Sequence, residues 1–152
     1  MIQVIYKLFL GILLATTAGM GIATFYSASE APEYPAESIT YNEEGRLSEA
    51  EHQYQQAATA HAEKQQTYDR NTAIIAILLS LVILTLSLTV LSKVDVIADG
   101  LIFGGILTLL YGIGRSFGSE EPRFIFIATL VGLATALVLG YLKFIRPVPV
   151  KA

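Results

Sequence analysis

The residues of this chain whose types and spacing could support metal chemistry are few. Glu49 and His52 have the E-x-x-H spacing that supplies two metal ligands from one helix face in di-iron bundles. There is no second E-x-x-H motif, and His52 and His61 are nine residues apart. On one straight helix of 3.6 residues per turn these two imidazoles face opposite sides. The pattern therefore favours a solvated helix surface over a metal site, and we expect no cofactor.

Two groups of acidic residues could bind a cation or a basic partner. One group lies in a loop that lacks the ordered ligand spacing of a calcium site, which favours a solvating surface. Its members are Glu30, Glu33, Glu37, Glu43 and Glu44. In the other group, Asp95 and Asp99 lie one helical turn apart beside Lys93. This pair could dock a partner, although capping of a helix N-terminus accounts equally well for Asp95.

Ionisable residues are absent from the centres of the apolar segments. Membrane-embedded proteases, proton-coupled carriers and ion pathways usually place such residues there, because their mechanisms need them. The chain has no Cys, which excludes thiolate chemistry and disulfides. Residues 27–71 hold nine acidic and three basic side chains, and the net charge of −3 argues against a nucleic-acid partner. We expect a protein that is not an enzyme.

Four apolar blocks must position the few charged residues. They are long enough to cross a hydrocarbon core about 30 Å thick, and 53% of the chain is hydrophobic. The blocks are residues 8–25, 72–92, 96–114 and 124–142. Hydrocarbon offers no partners for backbone polar groups, so the spans must be helices. The predicted fold is an all-α, polytopic membrane protein with four transmembrane helices, one of which extends beyond the membrane.

The chain divides into four predicted parts. Residues 1–26 form the first transmembrane helix, and residues 27–71 form an extramembrane acidic segment that is helical from about residue 48. Residues 72–145 form a three-helix transmembrane bundle, and residues 146–152 form a short basic tail. Ser48 and Glu51 have the spacing of a capping box, which predicts that the long second helix begins there. The first segment also resembles a cleaved signal peptide, but its apolar run of 18 residues favours a retained span.

Small residues recur every four positions in three of the four blocks. This spacing places them on one helix face, where another backbone can approach closely. The predicted helix-packing residues are Gly11, Ala15, Gly19, Ala23, Gly100, Gly104, Gly112, Ala128, Gly132, Ala136 and Gly140. In the extramembrane part of the predicted second helix, Tyr54, His61 and Tyr68 form a possible partner surface. Whether the small-residue faces pack within one chain or between chains is open.

Orientation follows from the Lys and Arg residues near the membrane ends. With four spans both termini share a side, and that side has five such residues against four on the other. The five are Lys7, Lys93, Lys143, Arg146 and Lys151, and the four are Lys64, Arg70, Arg115 and Arg123. The excess of Lys and Arg on the side of the termini predicts that both termini are cytoplasmic, in a plasma (inner) membrane.

The packing motifs favour a non-catalytic structural or accessory subunit of a membrane protein complex. Its partners would be membrane lipid and either further copies of the chain or a larger complex. Two alternatives remain. One is an oligomeric channel, carrier or hole-forming protein lined by Ser80, Thr85, Ser87 or Thr108. The other is a membrane enzyme acting on lipid through the Asp95 and Asp99 pair or through Glu49 with His52.

Overall fold

The computed structural model describes residues 1–28, 30–33, 49–89 and 94–145, with only the backbone at residues 49, 50, 144 and 145. Within these ranges every regular element is helical. The helices are α1 (Ile2–Phe25), α2 (Glu49–Thr89), α3 (Asp95–Ser116) and α4 (Pro122–Gly140). A 3-10 turn, Phe117–Ser119, links α3 to α4, and Tyr141–Ile145 extends α4 as a π-helical turn. All four helices are long and apolar enough to cross a membrane, so the predicted helix count is confirmed.

The long helix α2 has 41 residues, which corresponds to about 61 Å. It is unbroken because residues 49–89 contain neither Pro nor Gly. We call residues 49–70 the arm, because this polar part, about 33 Å long, continues beyond the apolar part of the helix. The predicted capping box lies partly outside the described residues, since Ser48 is not among them.

The other helix starts differ from the apolar blocks by a few residues. α1 begins at Ile2, six residues before its block, because helical geometry continues through the polar Gln3 and Lys7. α4 begins with Pro122 in its first turn, where the missing backbone N–H costs nothing. Val94, not Asp95, is the N-cap residue of α3; Asp95 lies in the first turn, where its charge is still favourable to the helix dipole.

α3 packs between α1 and α2, parallel to α1 and antiparallel to α2. The contact with α1 is so close that a side chain cannot be accommodated at Gly104. A Cβ atom there would lie 2.9 Å from the carbonyl oxygen of Gly11 and 2.8 Å from Cδ2 of Leu14. Gly100 is equally restricted, because its Cβ would lie 2.8 Å from Cδ2 of Leu10. The predicted glycines of α3 therefore serve contacts within the chain.

The opposite side of α3 makes a similarly close contact with α2. A Cβ atom at Gly112 would lie 3.1 Å from the backbone nitrogen of Ile77 and 3.2 Å from the carbonyl oxygen of Ala73. Nearer the loop, the Ser87 hydroxyl donates a 2.7 Å hydrogen bond to the carbonyl oxygen of Ala98. This bond joins the two helices beside the connection between them.

The small-residue stripe of α1 contacts α3 only at one end. Gly11 is buried, Ala15 and Gly19 are half-buried, and Ala23 is exposed. A Cβ atom at Gly19 would meet no atom within 4 Å. Each step of four residues turns the stripe by about 40° around a helix with 3.6 residues per turn. The stripe therefore rotates away from a straight neighbour after the first contact.

The stripe of α4 behaves in the same way. Ala128 and Gly132 are buried, and Ala128 joins the core of Ile77 and Leu109. Farther along, Ala136 is exposed, and a Cβ atom at Gly140 would meet nothing within 4 Å. α4 thus packs against the other helices in its first half, as far as Gly132, and is more open at Ala136 and Gly140.

Replacing Gly104 by Leu is expected to destabilise the folded chain, because α1 and α3 must separate to admit the side chain. Overpacking of this kind costs about 1–3 kcal/mol. Gly114→Leu is the matched control on the same helix, since Gly114 is exposed and its Cβ would meet no atom within 4 Å. Thermal unfolding in detergent, followed by circular dichroism, measures both variants. Equal melting temperatures for the two would contradict the close contact.

Candidate functional site

Polar side chains gather at the two ends of the apolar bundle. At the end where the arm leaves the bundle lies a group that we call the arginine cluster. It consists of Tyr26, Tyr68, Asp69, Asn71 and Arg115. At the other end, where α1 begins and α4 ends, lies the lysine cluster of Lys7, Asp99 and Lys143.

An ion pair between Asp69 and Arg115 forms the centre of the arginine cluster. Nη2 of Arg115 lies 2.7 Å from Oδ1 of Asp69, and Asp69 is only 7% exposed. Gly118 permits this arrangement, because a Cβ atom there would lie 2.7 Å from Cγ of Asp69. Removing one partner from a buried pair leaves an uncompensated charge, so the pair constrains how α2 and α3 meet.

Two tyrosine rings extend the arginine cluster to α1. Tyr26, at the end of α1, stacks on Tyr68 of α2 with ring centroids 5.2 Å apart and an interplanar angle of 4°. The guanidinium carbon of Arg115 lies 5.1 Å from the centroid of the Tyr68 ring, within the range of a cation–π interaction. Asn71 donates a 2.7 Å hydrogen bond to the Tyr26 hydroxyl. Tyr68, predicted as part of a partner surface, is thus engaged within the chain.

The base of the arm also contacts the turn before α4. Gln66 donates a 2.9 Å hydrogen bond to Glu120, and Arg70 forms a 3.2 Å ion pair with Glu121. Glu120 has a left-handed backbone with φ of 53°, which reverses the chain after the 3-10 turn. Arg115 is close to these glutamates in the sequence. The structure instead pairs Arg115 with Asp69, because α2 lies directly against the end of α3.

The lysine cluster joins three helices through one carboxylate. Lys7 of α1 and Lys143 at the end of α4 each place Nζ 2.6 Å from a different oxygen of Asp99 on α3. Both lysine side chains are partly exposed, by 29% at Lys7 and 48% at Lys143. Two cations share one anion, and the cluster carries a net charge of +1. It can therefore accept a further anion.

The residues considered for metal chemistry are far less organised. His52 is exposed and His61 is half-buried, on opposite sides of α2 as their spacing predicts. The side chain of Glu49 is outside the described part of the chain. Among the residues that the structure describes, no group of three His, Cys, Asp or Glu side chains could hold a metal ion. Glu30 and Glu33 are exposed, while Glu37, Glu43 and Glu44 lie outside the described residues.

The hydroxyl groups considered as a pore lining mostly face the interior of the bundle. Ser80, Ser87 and Thr108 are buried, and they donate hydrogen bonds to the carbonyl oxygens of Ile77, Ala98 and Gly104 respectively. Thr85 is exposed and bonds its own helix at Leu81. The bonds of Ser80, Thr85 and Thr108 lie within their own helices, as is usual for Ser and Thr in apolar helices, whereas the Ser87 bond joins α2 to α3.

Reasoning from the sequence missed both ion-pair clusters, although one had a signal. α2 and α3 are antiparallel and joined by a short loop, so residues at equal distances from that loop face each other. Asp69 lies about as far before the loop as Arg115 lies after it. The contacts of Lys7 and Lys143 with Asp99 had no comparable signal, because they depend on which helices become neighbours.

No protein-family model, curated protein or solved structure matches this chain. In both clusters the ion pairs join helices. The lysine cluster alone retains an excess charge that a ligand could use.

Replacing Asp69 by Asn is expected to destabilise the bundle, because Arg115 keeps its charge and loses its anion. Such a loss costs about 3–5 kcal/mol for a fully buried pair, and the partial exposure of Arg115 reduces this to about 2 kcal/mol. Arg70→Gln, which removes the exposed pair with Glu121, serves as the control and should cost under about 1 kcal/mol. Urea unfolding in detergent measures both. A smaller effect for Asp69→Asn than for Arg70→Gln would refute the assignment.

Proposed function

We propose that this chain is an integral membrane protein with four spans, in a plasma (inner) membrane, with both termini cytoplasmic and the arm on the opposite side. The spacing of the two charged clusters supports the spanning arrangement, and the excess of Lys and Arg on the side of the termini supports the orientation. Asp99 and Arg115 are separated by about 24 Å along α3, close to the thickness of the hydrocarbon core of about 30 Å. The side chains at both ends can reach the interfaces by extending along the helices.

Within that placement, we propose that the chain is a non-catalytic structural or accessory subunit of a membrane protein complex. The observation that carries this proposal is the arm. It continues a membrane span without a break, and the arginine cluster and the contacts with Glu120 and Glu121 brace its base. A braced helix about 33 Å long can present a surface at a fixed distance from the bilayer.

The two carboxylates that pair with basic residues between helices support a non-catalytic role. Asp69 pairs with Arg115, and Asp99 pairs with two lysines, so both carboxylates serve as connections between helices. These pairings also weigh against the lipid-enzyme alternative that relies on Asp99. The burial of Ser80, Ser87 and Thr108 weighs against a solute path lined by their hydroxyls.

We assign the partner surface to the face of the arm that contains Tyr54 and His61. Both side chains are half-buried, and the same face continues through Ala58 and Gln65 toward the bundle. The opposite face is fully exposed at Gln56 and Glu63. Aromatic side chains such as that of Tyr54 are enriched at protein interfaces, whereas Glu, which occurs on the opposite face, is depleted there.

The topology is testable by single-cysteine labelling, because the natural sequence has no Cys. Gln56→Cys in the arm should react with a membrane-impermeant maleimide in intact cells, since the arm lies outside. Asp95→Cys, at the exposed start of α3, should react only after the membrane is permeabilised. The reverse pattern would overturn the orientation. Labelling of both positions in intact cells would overturn the four-span arrangement.

The partner surface is testable by paired substitutions of equal spacing. Tyr54→Ala with His61→Ala should reduce co-purification of partner proteins, and should lower the native mass of the complex extracted gently from its own membrane. Gln56→Ala with Glu63→Ala is the matched control on the opposite face, with the same seven-residue spacing. It should leave the complex intact.

Two outcomes would contradict the accessory-subunit proposal. One is a native mass for the unchanged protein that equals a single chain. The other is equal retention of partners by the two double variants, which would remove the Tyr54 and His61 face from the interface. Thermal unfolding of both variants checks that the arm itself remains folded.

A further inference from the structure

An apolar groove runs between α3 and the open part of α4. Its volume is about 650 Å³, and its walls include Ile102, Ile106, Leu133, Ala136 and Leu139. Only two lining residues are polar, Thr129 and Lys143. The Thr129 hydroxyl is already bonded to the carbonyl oxygen of Ile125. Such walls offer water few bonding partners, so the groove is suited to hydrocarbon.

The groove has a positive charge at one end. Lys143 lines it there, and its ammonium group shares the Asp99 carboxylate with Lys7. The cluster keeps a net charge of +1, with donors to spare because each ammonium has three N–H groups. The exposed Asp95 lies about 6 Å farther along α3, on the aqueous side of Asp99. The ammonium groups therefore face the interface level at which lipid phosphates lie.

The length of the groove matches one leaflet of a bilayer. From Lys143 to Thr129 it follows α4 for about 21 Å. Half of a hydrocarbon core is about 15 Å thick, so a chain starting at Lys143 can reach the bilayer midplane within the groove. The apolar walls and this length suit one acyl chain, and the ammonium group of Lys143 at the end of the groove complements an anionic headgroup.

We propose that the groove between α3 and α4 binds an anionic phospholipid, with one acyl chain in the groove and the phosphate at Lys143 and Lys7. The proposal rests on the membrane insertion proposed above, but not on the accessory role. Burial of the acyl chain fills the space that α4 leaves open. The phosphate supplies the negative charge that the lysine cluster lacks.

Native mass spectrometry of the full chain in mild detergent tests this site. The probes are phosphatidylglycerol and phosphatidylcholine with identical acyl chains. The unchanged protein should retain phosphatidylglycerol about tenfold better, because the quaternary ammonium group of phosphatidylcholine cancels the charge of its phosphate and is repelled by the lysine cluster. Lys143→Gln should lose this preference, while Lys64→Gln, at an exposed lysine of the arm, should keep it.

A second pair of variants tests the position of the acyl chain. Ala136→Phe places a ring in the groove from an exposed position and should reduce retention of phosphatidylglycerol at least fivefold. Ala134→Phe is the matched control two residues away, because Ala134 is also exposed but lines the neighbouring groove between α2 and α4. It should retain the lipid. Neither substitution touches the ion pairs, so this pair remains informative if Lys143→Gln unfolds.

Three results would overturn the proposal: equal retention of the two lipids by the unchanged protein, undiminished retention by Ala136→Phe, or a doubled native mass that Ala136→Phe restores to a single chain. The last result would mean that a second copy covers the groove. An alkaline wash of the membranes tests the proposed insertion separately, because it releases a chain that is not inserted. A chain that stays in the washed membranes but fails the lipid tests contradicts the lipid site alone. Loss of partners with lipid retention intact would contradict only the accessory role.

Discussion

Close approach of helices on both sides of α3 is the constraint on which the rest of the bundle depends. In the bilayer in which we propose that the bundle lies, the burial of apolar surface between helices gains little, so van der Waals contact and interhelical bonds would hold the helices together. Gly104 brings α3 against the backbone of α1, and Gly112 brings it against the backbone of α2. Without side chains at these positions, one helix can pack closely against two others at once.

The charged clusters fix the register that this packing allows. A shift of one helical turn between α2 and α3 would separate Asp69 from Arg115, and a shift of α1 would separate Lys7 from Asp99. Moving either pair toward the bilayer centre would be costly, because unpaired charges are poorly tolerated there. Small-residue contacts thus set how close the helices lie, and the ion pairs set how far each helix extends toward either surface.

The two parts of the chain that the packing leaves free are the ones with proposed functions. The arm continues beyond the arginine cluster, and the open part of α4 leaves a groove beside α3. The arm is attached to the bundle at its base through Asp69, and α4 is attached near its middle through Gly132 and just beyond its end through Lys143. We propose contact with a partner for the first and contact with lipid for the second.

Local physical chemistry accounts for what could be predicted from the sequence. Uncharged runs of sufficient length must be helices in hydrocarbon, and this determines the four spans. The absence of Pro and Gly between residues 49 and 89 makes α2 continuous, and Pro122 marks the start of α4. These features depend on neighbours within a few turns, so they can be read directly from the order of residues.

The tertiary structure alone decided which of the predicted faces meet and what they hold. Gly11 and Ala23 belong to one stripe, yet only Gly11 touches another helix, because four-residue spacing turns around a helix of 3.6 residues per turn. Tyr68 was predicted to lie on a partner surface, and only the tertiary structure shows that its ring stacks on Tyr26 of the same chain. The lysine cluster combines positions 7, 99 and 143, whose proximity arises only from the arrangement of α1, α3 and α4 around one carboxylate. The order of residues determines where the helices form. Contacts between distant positions depend instead on how all four helices pack together.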